Sequence, residues 1–199
     1  KTFAVPEEYK DKNVIFEFEG VYHNAEVFIN GKLAVYRPYG YTNFFVTADK
    51  FLKYGQDNEM RVIARNADQP NSRWYSGAGI YRPVHMFVGD KKRITLNGVK
   101  IRTLSLYPAV VEVCVNTTGV GLVTVAVEKN GKKIVSASNE QNDGDAVFAL
   151  EIPHAKFWSP DTPELYTCRV KYENDEQIHS FGIRTLTCDH TNGLCINGE

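Results

Sequence analysis

Val123-Thr124-Val125-Ala126-Val127-Glu128-Lys129-Asn130-Gly131 contains most of what is needed to read the fold. Valine at every second position is the period of a strand with one face against a core. Asn-Gly directly after it is the strongest short-range signal for a two-residue hairpin, because both central positions need positive φ. The same alternation recurs upstream. Val14, Phe16 and Phe18 alternate with Ile15, Glu17 and Glu19, and Met60, Val62 and Ala64 alternate with Glu59, Arg61 and Arg65. Asn30-Gly31 repeats the hairpin signal. Lys53-Tyr54-Gly55-Gln56 and Asn142-Asp143-Gly144-Asp145 read as further turns. No stretch sustains a 3.6-residue apolar period, so helices are expected to be short or absent. Many short strands with regular turns predict an all-β chain built of sandwiches or jelly rolls.

A chain of 199 residues can hold one large or two modest domains. The polar cluster Gly89-Asp90-Lys91-Lys92 is the best boundary. It gives one domain over residues 1–90, a second over 91–188, and a short tail, 189–199, with two Asn-Gly pairs. A net charge of −1 argues against a nucleic-acid partner or an anionic membrane surface, and no apolar run is long enough to span a bilayer. Cys114, Cys168, Cys188 and Cys195 lack metal-site spacing. Cys114 and Cys168 invite comparison with the inter-sheet bridge of an immunoglobulin domain, Tyr166 standing two residues before Cys168 as in a tyrosine corner. However, Cys114 is out of phase with Val111, Val113 and Val115, so four free thiols are expected.

Candidate chemistry concentrates in Asn71-Ser72-Arg73-Trp74-Tyr75-Ser76-Gly77-Ala78-Gly79-Ile80-Tyr81-Arg82-Pro83-Val84. An Arg beside a Trp can stack on the apolar face of a sugar ring while donating hydrogen bonds; the same pair can equally wedge a domain interface. An apolar strand, Ile80 to Val88, is expected to follow. Glu7 with Glu8, Glu17 with Glu19, and Glu173 with Asp175 read as solvated faces and turns rather than catalytic pairs. His23, His85, His154, His179 and His190 show no ligand spacing. No serine lies in a nucleophile elbow and no phosphate loop is present, so neither a metal nor a cofactor is expected. Arg82 and Arg184 fit an inter-domain ion pair or a carbonyl clamp. Trp158-Ser159-Pro160 with Pro163 reads as a rigid loop whose tryptophan caps a core.

These segments together resemble family 2 of the glycoside hydrolases, the β-galactosidase and β-glucuronidase family. Arg73 to Arg82 resembles its "RWYxGxGIYR" motif, and Phe16-Glu17-Phe18-Glu19-Gly20-Val21 its "LxFEGV". Val27-Phe28-Ile29-Asn30-Gly31 with Tyr39-Gly40-Tyr41-Thr42 resembles "VxxNGxxVGxHxGGYT". Phe157 to Tyr166 resembles "LWSPxxPxLY", Phe181-Gly182-Ile183-Arg184 "FGxR", and Leu194-Cys195-Ile196-Asn197-Gly198 "FxLNGK". The motifs keep the family's order over nearly the whole chain.

The resemblance implies a jelly-roll, galactose-binding-like sandwich followed by an immunoglobulin-like sandwich. Residues 189–199 would be the start of a linker into a catalytic barrel. Lys1-Thr2-Phe3 resembles "YxKTF", which in the family follows earlier jelly-roll segments, so the first sandwich is expected to be truncated. Its exposed sheet edge is then expected to drive homo-oligomerisation. The activity implied is retaining hydrolysis of terminal β-glycosides, most simply β-galactosides, by two barrel glutamates that this chain lacks. Its expected partners are therefore carbohydrate and its own barrel. In β-galactosidases of the family a jelly-roll loop just before the "W…GIxR" motif reaches the sugar, which points to Asn71, Arg73 and Trp74 as substrate-binding residues. Two other readings remain: a free-standing carbohydrate-binding module using Tyr36, Tyr39, Tyr41, Trp74 and Tyr75, or an adhesion sandwich with no sugar role.

Overall fold

The structure, a computed structural model, describes residues 1–67 and 76–199, with backbone alone at 141–143. It divides into two compact units, Lys1–Lys91 and Lys92–Glu199. Both are β-sandwiches. Among the described residues the helical content is two single 3₁₀ turns, Glu7–Tyr9 and Asp49–Phe51.

The first unit contains β1 (Thr2–Val5), β2 (Asn13–Phe18), β3 (Val21–Tyr22), β4 (Ala25–Ile29), β5 (Lys32–Arg37), β6 (Phe44–Thr47), β7 (Gln56–Ala64), β8 (Gly79–Ile80) and β9 (Val84–Gly89). One sheet runs β1-β7-β4-β5, the other β6-β2-β9, and β3 pairs with β8. This is the jelly-roll-like layering. Its core joins Val14, Phe16 and Phe18 of β2 to Ala25, Val27 and Ile29 of β4 and to Phe44 and Val46 of β6. Ile15 breaks the expected alternation because it too is buried. On the outer face it stands between its cross-strand partners Thr47 and Phe87.

A buried asparagine explains the turn at 53–56. The Asn58 side chain accepts from the Lys53 backbone N–H at 2.8 Å, and its amide donates to the carbonyls of Lys53 at 2.8 Å and Gln56 at 3.1 Å. Its Oδ1 also accepts from Asn30 Nδ2 at 2.7 Å, tying this turn to the Asn30-Gly31 hairpin. A polar group out of water is tolerated when its partners are this complete.

The expected strand from Ile80 to Val88 is instead two pieces, β8 and β9. Pro83 carries no N–H for a ladder, and its carbonyl accepts from Glu19 N at 3.1 Å. β9 lies at a sheet edge, where Val84, Met86 and Phe87 remain 38%, 42% and 38% exposed. Val84 and Met86 are paired with the core residues Phe18 and Phe16, so even the core-facing row of β9 is partly uncovered.

The second unit contains β10 (Ile94–Leu106), β11 (Ala109–Lys129), β12 (Lys132–Glu151), β13 (Tyr166–Tyr172), β14 (Asp175–Phe181), and a hairpin of β15 (Leu186–Asp189) and β16 (Gly193–Ile196). Short strands were expected; β11 and β12 are 21 and 20 residues long. Near its middle β11 carries an extra residue, Thr117 opposing Gly144 and Val120 opposing Asn142, with Gly119 at φ +82°. Such a bulge bends a strand. Before it β11 pairs with β10 and β12; beyond it β11 pairs with β12 and β13. Val111, Val113 and Val115 from one half and Val123, Val125 and Val127 from the other share one core with Cys168, Val170 and Tyr172. One bent hairpin thus serves both layers of the immunoglobulin-like sandwich. Asn130 and Gly131, at φ 51° and 76°, close it as the sequence predicts, and Asn30 and Gly31, at 51° and 80°, close the β4–β5 hairpin in the same way.

Candidate functional site

Asn71, Arg73 and Trp74 lie outside the described residues, as does Tyr75. The stems of their loop are described, and a polar chain fixes them. Asn66 Nδ2 donates to the Gly77 carbonyl at 3.4 Å, closing the loop's base, while its Oδ1 faces His23 Nε2 at 3.1 Å. Asn24 Nδ2 lies 3.0 Å from His23 Nδ1, and Asn24 Oδ1 accepts from the Tyr36 hydroxyl at 3.0 Å. Since Asn24 donates to Nδ1, the imidazole proton belongs on Nε2, where it is donated to Asn66. His23 is therefore a bracket for the loop rather than a metal ligand.

On the far stem, Gly79 and Ile80 pair with Tyr22 and Val21. Tyr81, exposed on one side, is anchored on the other; its N–H donates to the Gly20 carbonyl at 3.2 Å and its hydroxyl to the Gly40 carbonyl at 2.7 Å. A Cβ at Gly20 would stand 2.6 Å from the Tyr81 ring, and one at Gly40 2.5 Å from the Tyr22 ring. These two glycines are places where ring meets backbone, which is what their motifs encode.

Beside this stem is an aromatic group: Tyr22 and Tyr41 have centroids 5.1 Å apart, and Tyr39 meets Tyr41 edge-on at 5.8 Å. Next to it, a surface groove of about 400 Å³ is lined by Glu17, Glu19, Tyr41, Thr42, Asn43 and Arg82. Glu17 Oε1 accepts from Asn43 Nδ2 at 2.6 Å, and Glu19 Oε1 lies 2.9 Å from His85 Nε2. The sequence reading treated Glu17 and Glu19 as a solvated strand face; that they share a groove with Arg82 depends on loops far apart in the chain.

Within its own unit each of the two arginines sits by an aromatic ring. Arg82 lies 5.6 Å from the centroid of Tyr81 and Arg184 4.5 Å from that of Trp158. Each thus has an aromatic neighbour that offers it a ring face. Trp158 is a joint: its N–H donates to the Ile183 carbonyl at 2.9 Å, its own carbonyl accepts from Asn197 Nδ2 at 3.0 Å, and Gly182 gives it room. Cys168 is fully buried, which pushes its thiol up to about 12, whereas Cys114 is half-buried on the opposite face from Val113 and Val115. Among the described residues no group of three His, Cys, Asp or Glu side chains is placed to hold a metal.

Comparison with known proteins places this geometry. The model of "Glycosyl hydrolases family 2" matches residues 99–184. β-Galactosidase BoGH2A of Bacteroides ovatus is 35% identical over the whole chain, which spans 26% of that protein. A putative β-glucuronidase of Formosa agariphila is 33% identical, again over the whole chain, which spans 20% of it. Among solved structures, a glycosyl hydrolase family 2 member from Bacteroides cellulosilyticus superposes over the full chain with a TM-score of 0.89 at 26% identity, the chain covering 28% of it. A β-glycosidase from Bacteroides vulgatus gives 0.82 at 29% identity and 27% of its length. Sequence and fold thus align from end to end with proteins of glycosyl hydrolase family 2, and that family's own model falls on residues 99–184 of the second sandwich, so this is the family the chain resembles.

Proposed function

We propose that this chain is a non-catalytic, two-sandwich part of a retaining β-glycosidase that hydrolyses terminal β-galactosides. The observation that carries the reading is full-length alignment with a β-galactosidase of which the chain spans only 26%. Retaining hydrolysis needs two carboxyl groups about 5–5.5 Å apart across the scissile bond. Glu17 and Glu19, which share a groove in the first unit, are engaged by Asn43 and His85 on an open strand face. The nucleophile and the acid/base are therefore assigned to a barrel in the remainder of the enzyme, with residues 189–199 leading into it.

In that enzyme the loop bearing Asn71, Arg73 and Trp74 reaches the sugar subsite, its base held by the Asn66–Gly77 bond. The test uses the intact polypeptide. Proton NMR of the first sugar released from a β-galactoside should show the β anomer, and kcat/KM should exceed that for the matching β-glucuronide. Asn71→Ala and Arg73→Ala should each lower kcat/KM by about tenfold, the worth of one hydrogen bond to a bound sugar. Unchanged values would leave the loop a purely bracing role. Preference for the glucuronide would overturn the galactoside assignment.

We also infer that the chain self-associates. The open edge of β9, with Val84, Met86 and Phe87 exposed, is a row of unpaired backbone groups beside apolar side chains.

A further inference from the structure

The groove between Glu17, Glu19 and Arg82 has a feature unexplained by a scaffolding role. A guanidinium and two carboxylates line the same cleft of about 400 Å³, yet among the described residues Arg82 bridges neither of them. Arg82 is held back over Tyr81, and Tyr81 is itself pinned through Gly40 and Gly20. Asn43 and His85 each engage one oxygen, Oε1, of Glu17 and Glu19, so the second oxygen of each carboxylate and the guanidinium leave hydrogen-bonding capacity on both sides of a gap. The rest of the lining adds the hydroxyls of Tyr41 and Thr42 and the amide of Asn43. On the rim Tyr39 and Tyr41 are 56% and 48% exposed, each supported by a neighbouring ring.

We propose that this groove is a binding site for a neutral β-linked oligosaccharide. Carboxylates accept from sugar hydroxyls, the guanidinium donates to hydroxyl and ring oxygens, and a tyrosine face packs on the C–H side of a pyranose. The volume falls in the range of small-molecule sites, about 300–1,000 Å³. Two carboxylates make the cleft unfavourable for uronates, phosphates and other anions. A divalent cation would face the guanidinium. Only groups of the first unit line the site, so its preference is independent of which glycoside the intact enzyme cleaves. It would keep the enzyme on a polymer while the terminal residue is cut.

The experiment uses the 199-residue chain with three probes: β-1,4-galactotetraose, cellotetraose and trigalacturonate. Saturation-transfer NMR and calorimetry should show saturable binding of at least one neutral probe and none of trigalacturonate. Arg82→Gln and Glu17→Gln should each raise Kd by about tenfold or more. Glu17→Gln is near-isosteric and Arg82→Gln shortens an exposed side chain, so the circular dichroism of both should match the parent. Tyr107→Ala, 84% exposed on the other unit, should leave Kd unchanged. The proposal is overturned if neither neutral probe saturates, if trigalacturonate binds as tightly as they do, or if both groove variants bind like the parent.

Discussion

A methyl group added at Gly182 would stand 2.6 Å from Trp158 Cβ and 2.7 Å from Cγ, neither of which can swing away without moving the loop at 157–163. Gly182→Ala is therefore expected to destabilise the second unit by about 1–3 kcal/mol, the usual cost of overpacking, in urea unfolding. An unchanged midpoint would mean that Trp158 is less fixed than its bonds to Ile183 and Asn197 imply. Asn58 makes a parallel point in the first unit. Removing its side chain leaves the Lys53 N–H and two carbonyls short of partners, and Asn58→Ala should cost about 2–3 kcal/mol. The thiols separate by burial: iodoacetamide on the native chain should modify exposed Cys188 first and spare Cys168, and in denaturant all four should react. Native labelling of Cys168, or fewer than four thiols in denaturant, would contradict this placement.

Among the elements, the bent β11–β12 hairpin decides most. Tyr172 locks its bend, the hydroxyl lying 2.9 Å from the carbonyls of both Thr118 and Gly119. Tyr172→Phe removes that donor from a buried site and should cost about 1–2 kcal/mol, with amide exchange accelerated first around residues 117–121; uniform exchange would show that the bend holds without the latch. The hairpin also shows what a sequence discloses. The Asn130-Gly131 turn and the valine alternation before it are local facts, and both were legible. The bend was not, because Thr117, Gly119 and Gly121 look like an ordinary strand until β13 supplies Tyr172 from fifty residues away. The same holds for the candidate site. The motifs announced Tyr81, Gly20 and Gly40, but their contact, and the groove that gathers Glu17, Asn43 and Arg82, exists only once β2, β6 and β9 lie side by side. The apolar run from Ile80 to Val88 read as one strand although Pro83 stands within it.

At the scale of the molecule, three carboxylates among the described residues are held below their usual range: Glu164 by a hydrogen bond from Lys129, Glu176 by one from Arg169, and Asp189 by the backbone N–H groups of Asn192 and Thr191. A carboxylate depressed in the folded state binds fewer protons there than in the unfolded chain. Its contribution is complete above the unfolded value, about pH 4, and is lost as pH falls through the folded one. Tm should accordingly decline on acidification below about pH 4, and Asp189→Ala should reduce that decline. Sedimentation should give a mass above 22.5 kDa that rises with concentration and reverts towards monomer in Met86→Lys, which puts a charge on the open edge of β9. A concentration-independent monomer would refute self-association. The most direct test of the central claim is release of 4-nitrophenol from 4-nitrophenyl β-D-galactoside by the purified 199-residue chain, run beside the longer polypeptide that carries it. The account predicts turnover by the longer polypeptide and none by the chain alone. Turnover by the chain alone would contradict it.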